Sequence, residues 1–257
     1  MIPEIGIIFR SYAKTPELVP EVVERAITSV KKARNICFFD KPFFNKIIIA
    51  VPTDYDCGLT MGQLHQKIRN DDDVTLQWSV QILPFKGHHS CEVLNSAMSE
   101  MERWGPRFCL IASHKAISYL TEDNMRKVIF ALYNGFRVVG VRIKELNDVQ
   151  ESPIQNTFAV WDLKEMGSFI MEEGKITELI FDSELGVEEV APLIRLQKLY
   201  GKCAAVINAE GSLNIRESED GKARHKEVRD TKRALQEQEA ARLGVTLDFV
   251  KENIVEL

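Results

Sequence analysis

No stretch of the 257 residues approaches the roughly 20 consecutive apolar residues that a membrane-spanning helix needs. The first residues contain no basic segment followed by a long apolar run, so no secretory leader is expected. Cysteine is sparse and scattered. Cys37, Cys57, Cys91, Cys109 and Cys203 form no C-x-x-C pair, and such a set reads as reduced thiols in the cytoplasm. Positive charge is not in excess, and a formal net charge of −5 argues against a broad nucleic-acid surface. The five histidines include no H-x-H or H-x-x-x-H pair, so their spacing carries no metal signal. Internal repeats and low-complexity tracts are lacking too.

What is present is an ordinary globular composition. With 45% hydrophobic residues the chain can bury one large α/β core, with or without an appended tail. Ile5–Phe9 and Lys46–Val51 are short apolar runs suited to buried strands. The segment from Pro16 to about Ala33 carries Leu18, Val22, Ile27 and Val30 at helical spacing. A helix is expected over about Thr60–Arg69, with Asn70 to Asp73 as a solvated turn. Val74–Pro84 reads as a third strand, Ser90–Trp104 as an amphipathic helix, and Phe136–Ile143 as a further strand. This alternation predicts a mostly parallel sheet with helices on both faces. After Lys144 the pattern breaks. Thr157–Trp161 suits an antiparallel strand, the segment from Gly186 opens a helix to about Tyr200, and Cys203–Ile207 is expected to be the last strand. Residues 216–257 form a charged helical extension of the 1–215 domain, with one helix over Val228–Leu243 and a shorter one capped by Thr246.

The stretch Arg107 to Met125, RFCLIASHKAISYLTEDNM, organises the rest. An apolar run, Phe108–Ala112, stops at Ser113, His114 and Lys115, and a helix capped by Thr121 follows with acids in its first turn. Ligands of open α/β sheets bind beyond the carboxyl ends of strands, which is where Ser113, His114 and Lys115 would sit. Asp54 and Asp56 follow another strand, and Glu188 and Glu189 open a helix.

Taken in order, these pieces resemble a family 2 glycosyltransferase with the GT-A fold over about residues 5–208. IIFRSYAKTPELVPEVVERAITSV is similar to the family's opening strand, turn and helix, and KIIIAVPTDYD to its second strand. GHHSCEVLNSAMSEM resembles the stretch before the central strand, FCLIASHKAISYLTEDNM the strand that carries the D-x-D, and GVEEVAPLIRLQKLYGK the later G-E-D helix. The resemblance implies a GT-A-like α/β fold that binds a nucleoside-diphosphate sugar and transfers the sugar to an unknown acceptor. It implies that Asp54 and Asp56 hold the nucleotide, with Arg10 and Tyr12 lining the same pocket. It favours Glu189 as the base that deprotonates an acceptor hydroxyl, with Glu188 beside it. The D-x-D itself is missing. Ser113 and Lys115 stand over its two aspartates, leaving no carboxylate there for Mn or Mg. Lys115, helped by His114, is therefore expected to neutralise the leaving diphosphate in the metal's place. A non-catalytic binding module that kept the fold is the first alternative. A sugar nucleotidyltransferase is the second, disfavoured because no Gly-rich loop follows the first strand. The locally basic tail is expected to be a solvated helix, or to fold over the site or onto acidic headgroups. A homo-oligomer stays open.

Overall fold

The computed structural model describes residues 4–11, 13, 15–38, 40–53, 58–85, 91–142, 154, 156–167, 171–172, 175–176, 181, 187–211 and 219–257, with backbone only at 167, 171–172, 175–176 and 219–230. Strand β1 (Ile5–Arg10) leads through a short 3-10 helix (Pro16–Leu18) into α1 (Val19–Arg34). A hairpin of β2 (Cys37–Phe38) and β3 (Lys41–Pro42) precedes β4 (Ile47–Pro52). Then come α2 (Leu59–Arg69), α3 (Val74–Ser79), β5 (Val80–Phe85), α4 (Cys91–Trp104) and β6 (Phe108–Ala112). A second 3-10 helix (His114–Tyr119) and α5 (Glu122–Tyr133) lead to β7 (Val138–Val141) and β8 (Phe158–Asp162). α6 (Leu163–Gly167), the small pair β9 (Met171–Glu172) and β10 (Lys175–Ile176), α7 (Val190–Tyr200) and β11 (Ala204–Ile207) follow. α8 (Glu219–Arg242), α9 (Leu247–Glu252) and β12 (Ile254–Glu256) complete the order.

Eight strands form one sheet in the order β12-β11-β7-β8-β6-β1-β4-β5. All neighbours run parallel except β8, which lies antiparallel between β6 and β7. Strand side chains alternate between faces, so each buried strand feeds two cores. Ile5, Ile7 and Phe9 pack with Ile47, Ile49, Leu110 and Val160 beneath α1 and α5. Ile8, Ile48, Cys109, Ile111 and Trp161 pack on the other face beneath α4, α7 and α9. Burial on both faces is why these runs read as continuous apolar segments without a polar stripe. Each fully buried isoleucine of Ile47, Ile48 and Ile49 contributes about 1.5–3 kcal/mol.

The structure departs from the sequence expectations in four places. Val74–Ser79 is a helix, and only the segment from Val80 is strand. Asp73 starts it by accepting the Thr75 N–H at 2.9 Å, and Arg34 holds Thr75 Oγ1 at 2.8 Å. The aspartate turn is therefore a cap plus an ion pair, Lys31 to Asp71 at 2.7 Å. The strand at 204–207 is not the last, because β12 adds to it in parallel. The long C-terminal helix starts earlier than expected, at Glu219. Thr121 caps α5 as its sequence implies, accepting from the Asn124 N–H at 3.2 Å. Trp161 is a fully buried core residue and donates to Asn156 Oδ1 at 2.9 Å. Among the described residues no helix is long and apolar enough to cross a membrane.

Candidate functional site

β6, β1 and β4 are neighbours in the middle of the sheet, and their carboxyl ends lie side by side. Phe9 is in register with Ala112, and Arg10 with Ala50. The chain leaves these ends through Ser11, Thr53 and Ser113. Ser113 caps the following 3-10 helix, its Oγ accepting from the Lys115 N–H at 3.2 Å. That turn swings Lys115 to the surface and His114 into the interior, where the ring is 9% exposed.

His114 is held on both sides. Its Nε2 lies 2.5 Å from Ser11 Oγ and its Nδ1 lies 2.8 Å from Ser29 Oγ, while the ring stacks on Phe9 with centroids 5.0 Å apart. Ser29 donates its own proton to the Arg25 carbonyl at 2.9 Å. Ser29 must therefore accept from His114, which places the imidazole proton on Nδ1 and leaves Nε2 to accept from Ser11. Burial, with the Arg25 guanidinium adding repulsion, lowers the His114 pKa to about 4. The ring is thus neutral at physiological pH. It braces the ends of β1 and β6 against α1 and has no lone pair to spare.

The two adjacent glutamates before α7 point to different partners. Glu188 pairs with Arg10 at 3.0 Å, which ties the loop before α7 to the carboxyl end of β1. Glu189 is fully buried beneath α8, where Lys232 reaches its Oε1 at 2.8 Å and Gln236 donates to the same oxygen at 3.2 Å. Glu189 occupies the N-cap position of α7, yet its side chain makes no cap hydrogen bond. Its Oε2 is buried without a hydrogen-bond partner. A buried carboxylate with a cation on one oxygen only is costly to keep, and losing that cation would cost more.

The structure thus brings Arg10, Ser113, His114 and Glu188 to the strand-end region, exposes Lys115 beside them, and turns Glu189 toward α8. Tyr12, Asp54 and Asp56 lie outside the described residues, as do His88 and His89. The side chain of His225 is likewise not described. Among the described residues no three His, Cys, Asp or Glu side chains gather as a metal site. Ser11, Ser29, Lys232 and Gln236 escaped sequence reasoning as site partners. Ser29 carried a signal, being a hydroxyl on the stripe that buries Ala26, Val30 and Ala33. Asn124 is a second hidden strut. Its amide donates to the Tyr119 carbonyl at 2.8 Å and the Glu210 carbonyl at 2.6 Å, and its Oδ1 accepts from the Glu210 N–H at 3.0 Å. It fastens the segment after β11 to the 3-10 helix. Gly211 continues that segment at φ +156°, where an added Cβ would sit 2.6 Å from the Tyr119 ring.

An eight-stranded, mostly parallel sheet with one reversed inner strand and helices on both faces is the fold of nucleotide-sugar transferases of the GT-A type, and this chain has it. Among solved structures, it is similar to the mannosyltransferase PcManGT from Pyrobaculum calidifontis in complex with GDP-Man and Mn2+. That likeness has a TM-score of 0.61 and 10% identity, and covers 98% of this chain and 68% of the other. It is also similar to 4-diphosphocytidyl-2C-methyl-D-erythritol synthase from Anaerococcus prevotii, with a TM-score of 0.51 and 10% identity, over 88% of this chain and 96% of the other. At that identity the likeness establishes the fold, and function has to be argued from side chains. No protein-family model matches the sequence, and no curated protein matches it significantly.

Proposed function

We propose that the chain binds a nucleoside-diphosphate sugar at the carboxyl ends of β1, β4 and β6 and transfers the sugar to an acceptor hydroxyl. The observation that carries this reading is the Arg10–Glu188 pair, a cation and a carboxylate joined at the strand ends where such folds bind ligands. Arg10 suits a phosphate because a guanidinium presents paired N–H donors. Lys115, exposed on the turn after β6, is a second cation for the leaving diphosphate, whose charge grows as the bond breaks. Tyr12, Asp54, Asp56 and Ser113 are proposed to hold the nucleotide, with His114 bracing the turn from below. Of the two glutamates we assign the base role to Glu188, because Glu189 is fully buried and already holds Lys232 and Gln236. The base takes the acceptor proton, the acceptor oxygen bonds to the anomeric carbon, and the electron pair of the broken carbon–oxygen bond leaves on the nucleoside diphosphate.

The residues after β6 do not fit a divalent ion. Ser113 Oγ accepts a backbone hydrogen bond, both nitrogens of His114 are engaged, and Lys115 is a cation. No step is therefore routed through a metal held there. The test is binding of GDP, UDP and their sugar conjugates by thermal shift and calorimetry, with EDTA or with Mn2+. Binding that survives EDTA and weakens about tenfold in Lys115→Ala supports the reading; unchanged affinity in that variant removes the role of Lys115. A binding protein without transferase activity is the second reading, supported by Ser113 and Lys115 standing where the D-x-D carboxylates would be. Turnover of a labelled donor separates the two. Pyrophosphate release from a nucleoside triphosphate would instead identify a nucleotidyltransferase.

A further inference from the structure

Arg10 and Glu188 are paired in a site whose proposed reaction needs them apart. The Arg10 guanidinium sits 3.0 Å from Glu188 Oε1 and occupies the place where an acceptor hydroxyl would have to approach that oxygen. Arg10 turns its Nη2 toward Glu188 Oε1, so the guanidinium cannot present its full fork to a diphosphate until it swings off that carboxylate. The burial is asymmetric in an informative way. The Glu188 side chain is 11% exposed, whereas that of Arg10 is 35% exposed. Arg10 is therefore the mobile partner, able to swing toward incoming charge while Glu188 stays in place. Lys232 is no substitute for it, because it is committed to Glu189 beneath α8 at 2.8 Å.

We propose that Arg10 exchanges partners. In the empty site it neutralises Glu188, and when the donor binds its guanidinium moves onto the diphosphate, leaving Glu188 as an uncompensated carboxylate facing the acceptor. This rests on the sugar-transfer reading above and adds a binding order to it. The donor must arrive before Glu188 becomes an effective base, so proton removal from an acceptor, or from water, is suppressed in its absence. The same residue then serves diphosphate binding and controls the base.

Calorimetry of GDP and UDP binding tests the exchange without knowledge of the acceptor. The proteins are the wild type, Glu188→Gln, Arg10→Gln and the double variant, with circular dichroism to verify folding. Glu188→Gln keeps the side-chain shape and releases Arg10, so both diphosphates should bind about fivefold tighter. Arg10→Gln should bind them about tenfold more weakly, and in that background Glu188→Gln should add nothing. Guanosine and uridine, which carry no phosphate, should show no gain in Glu188→Gln. Unchanged or weaker diphosphate binding in Glu188→Gln overturns the exchange. So does a gain that persists without Arg10, which would be plain relief of charge repulsion. If the wild type binds no nucleoside diphosphate at all, the sugar-transfer reading itself falls. Wild-type binding with an additive cycle removes only the exchange.

Discussion

Mild acid should destabilise this protein through His114. The folded ring titrates at about 4 instead of its ordinary 6.5, because burial disfavours the imidazolium and the Arg25 guanidinium adds repulsion. Above the unfolded value of 6.5 the ring is neutral in both states, and the stability of the Ser11–His114–Ser29 chain is fully present. Between 6.5 and about 4 the unfolded chain binds a proton that the folded protein refuses, so stability falls as pH falls. Each pH unit in that window costs about 1.4 kcal/mol, and the whole window about 3 kcal/mol. That loss is a large fraction of the net stability of an ordinary domain. Other groups titrate in the same range, so the comparison needed is with His114→Gln, which keeps a donor and an acceptor but has no proton to gain. Urea unfolding of both proteins from about pH 7.5 down to about pH 4 should show the wild-type advantage shrinking by about 3 kcal/mol. An advantage that stays constant across that range would refute the assignment of a buried, neutral ring.

Lys232→Ala strands the buried Glu189 carboxylate and should cost about 3 kcal/mol in urea unfolding, much of it restored by adding Glu189→Gln. Equal stability of wild type and Lys232→Ala would show instead that Glu189 is hydrated. Asn124→Ala removes three hydrogen bonds around Tyr119 and Glu210 and should cost about 2 kcal/mol, with faster proteolysis after β11 as a second readout. Lys115→Ala should leave stability within about 0.5 kcal/mol, as expected of an exposed side chain, so its effect on nucleotide binding can be read separately from folding.

The architecture was legible where burial is two-sided and local. Runs such as Ile47–Val51 and Phe108–Ala112 have one sensible structure, and the amphipathic segments between them fix the alternation that yields a mostly parallel sheet. The reversed strand at Phe158–Asp162 was legible from the break in pattern before it. What escaped depends on distant partners. Val74–Ser79 contains β-favouring valine, threonine and tryptophan, and becomes a helix through the Asp73 cap and the Arg34 contact. β12 has three residues, and pairing with β11 is what makes them a strand. At the site, the types and positions of Arg10, Ser113 and Glu188 could be read, but which glutamate meets which cation could not. Adjacent residues at the start of a helix have no fixed relation to two separate elements, and only the folded placement of β1 and α8 sorts them. The fate of His114 was hidden for the same reason, since Ser11 and Ser29 are remote from it in sequence.

The reversal of β8 has a consequence for how this scaffold tolerates change. A strand running against its neighbours is entered where they are left, and the Ser113 N–H to Thr157 carbonyl contact at 2.9 Å marks that entry. Lengthening the connection just ahead of Thr157 would reshape the surface beside the carboxyl ends of β6 and β1. The same insertion just after Asp162 would fall at the far end of the sheet, beside Arg107 and Arg137, which grip the Asp162 carboxylate at 3.2 and 3.1 Å. Two positions a few residues apart therefore differ in kind: one alters the surface at the strand ends, the other is a foundation.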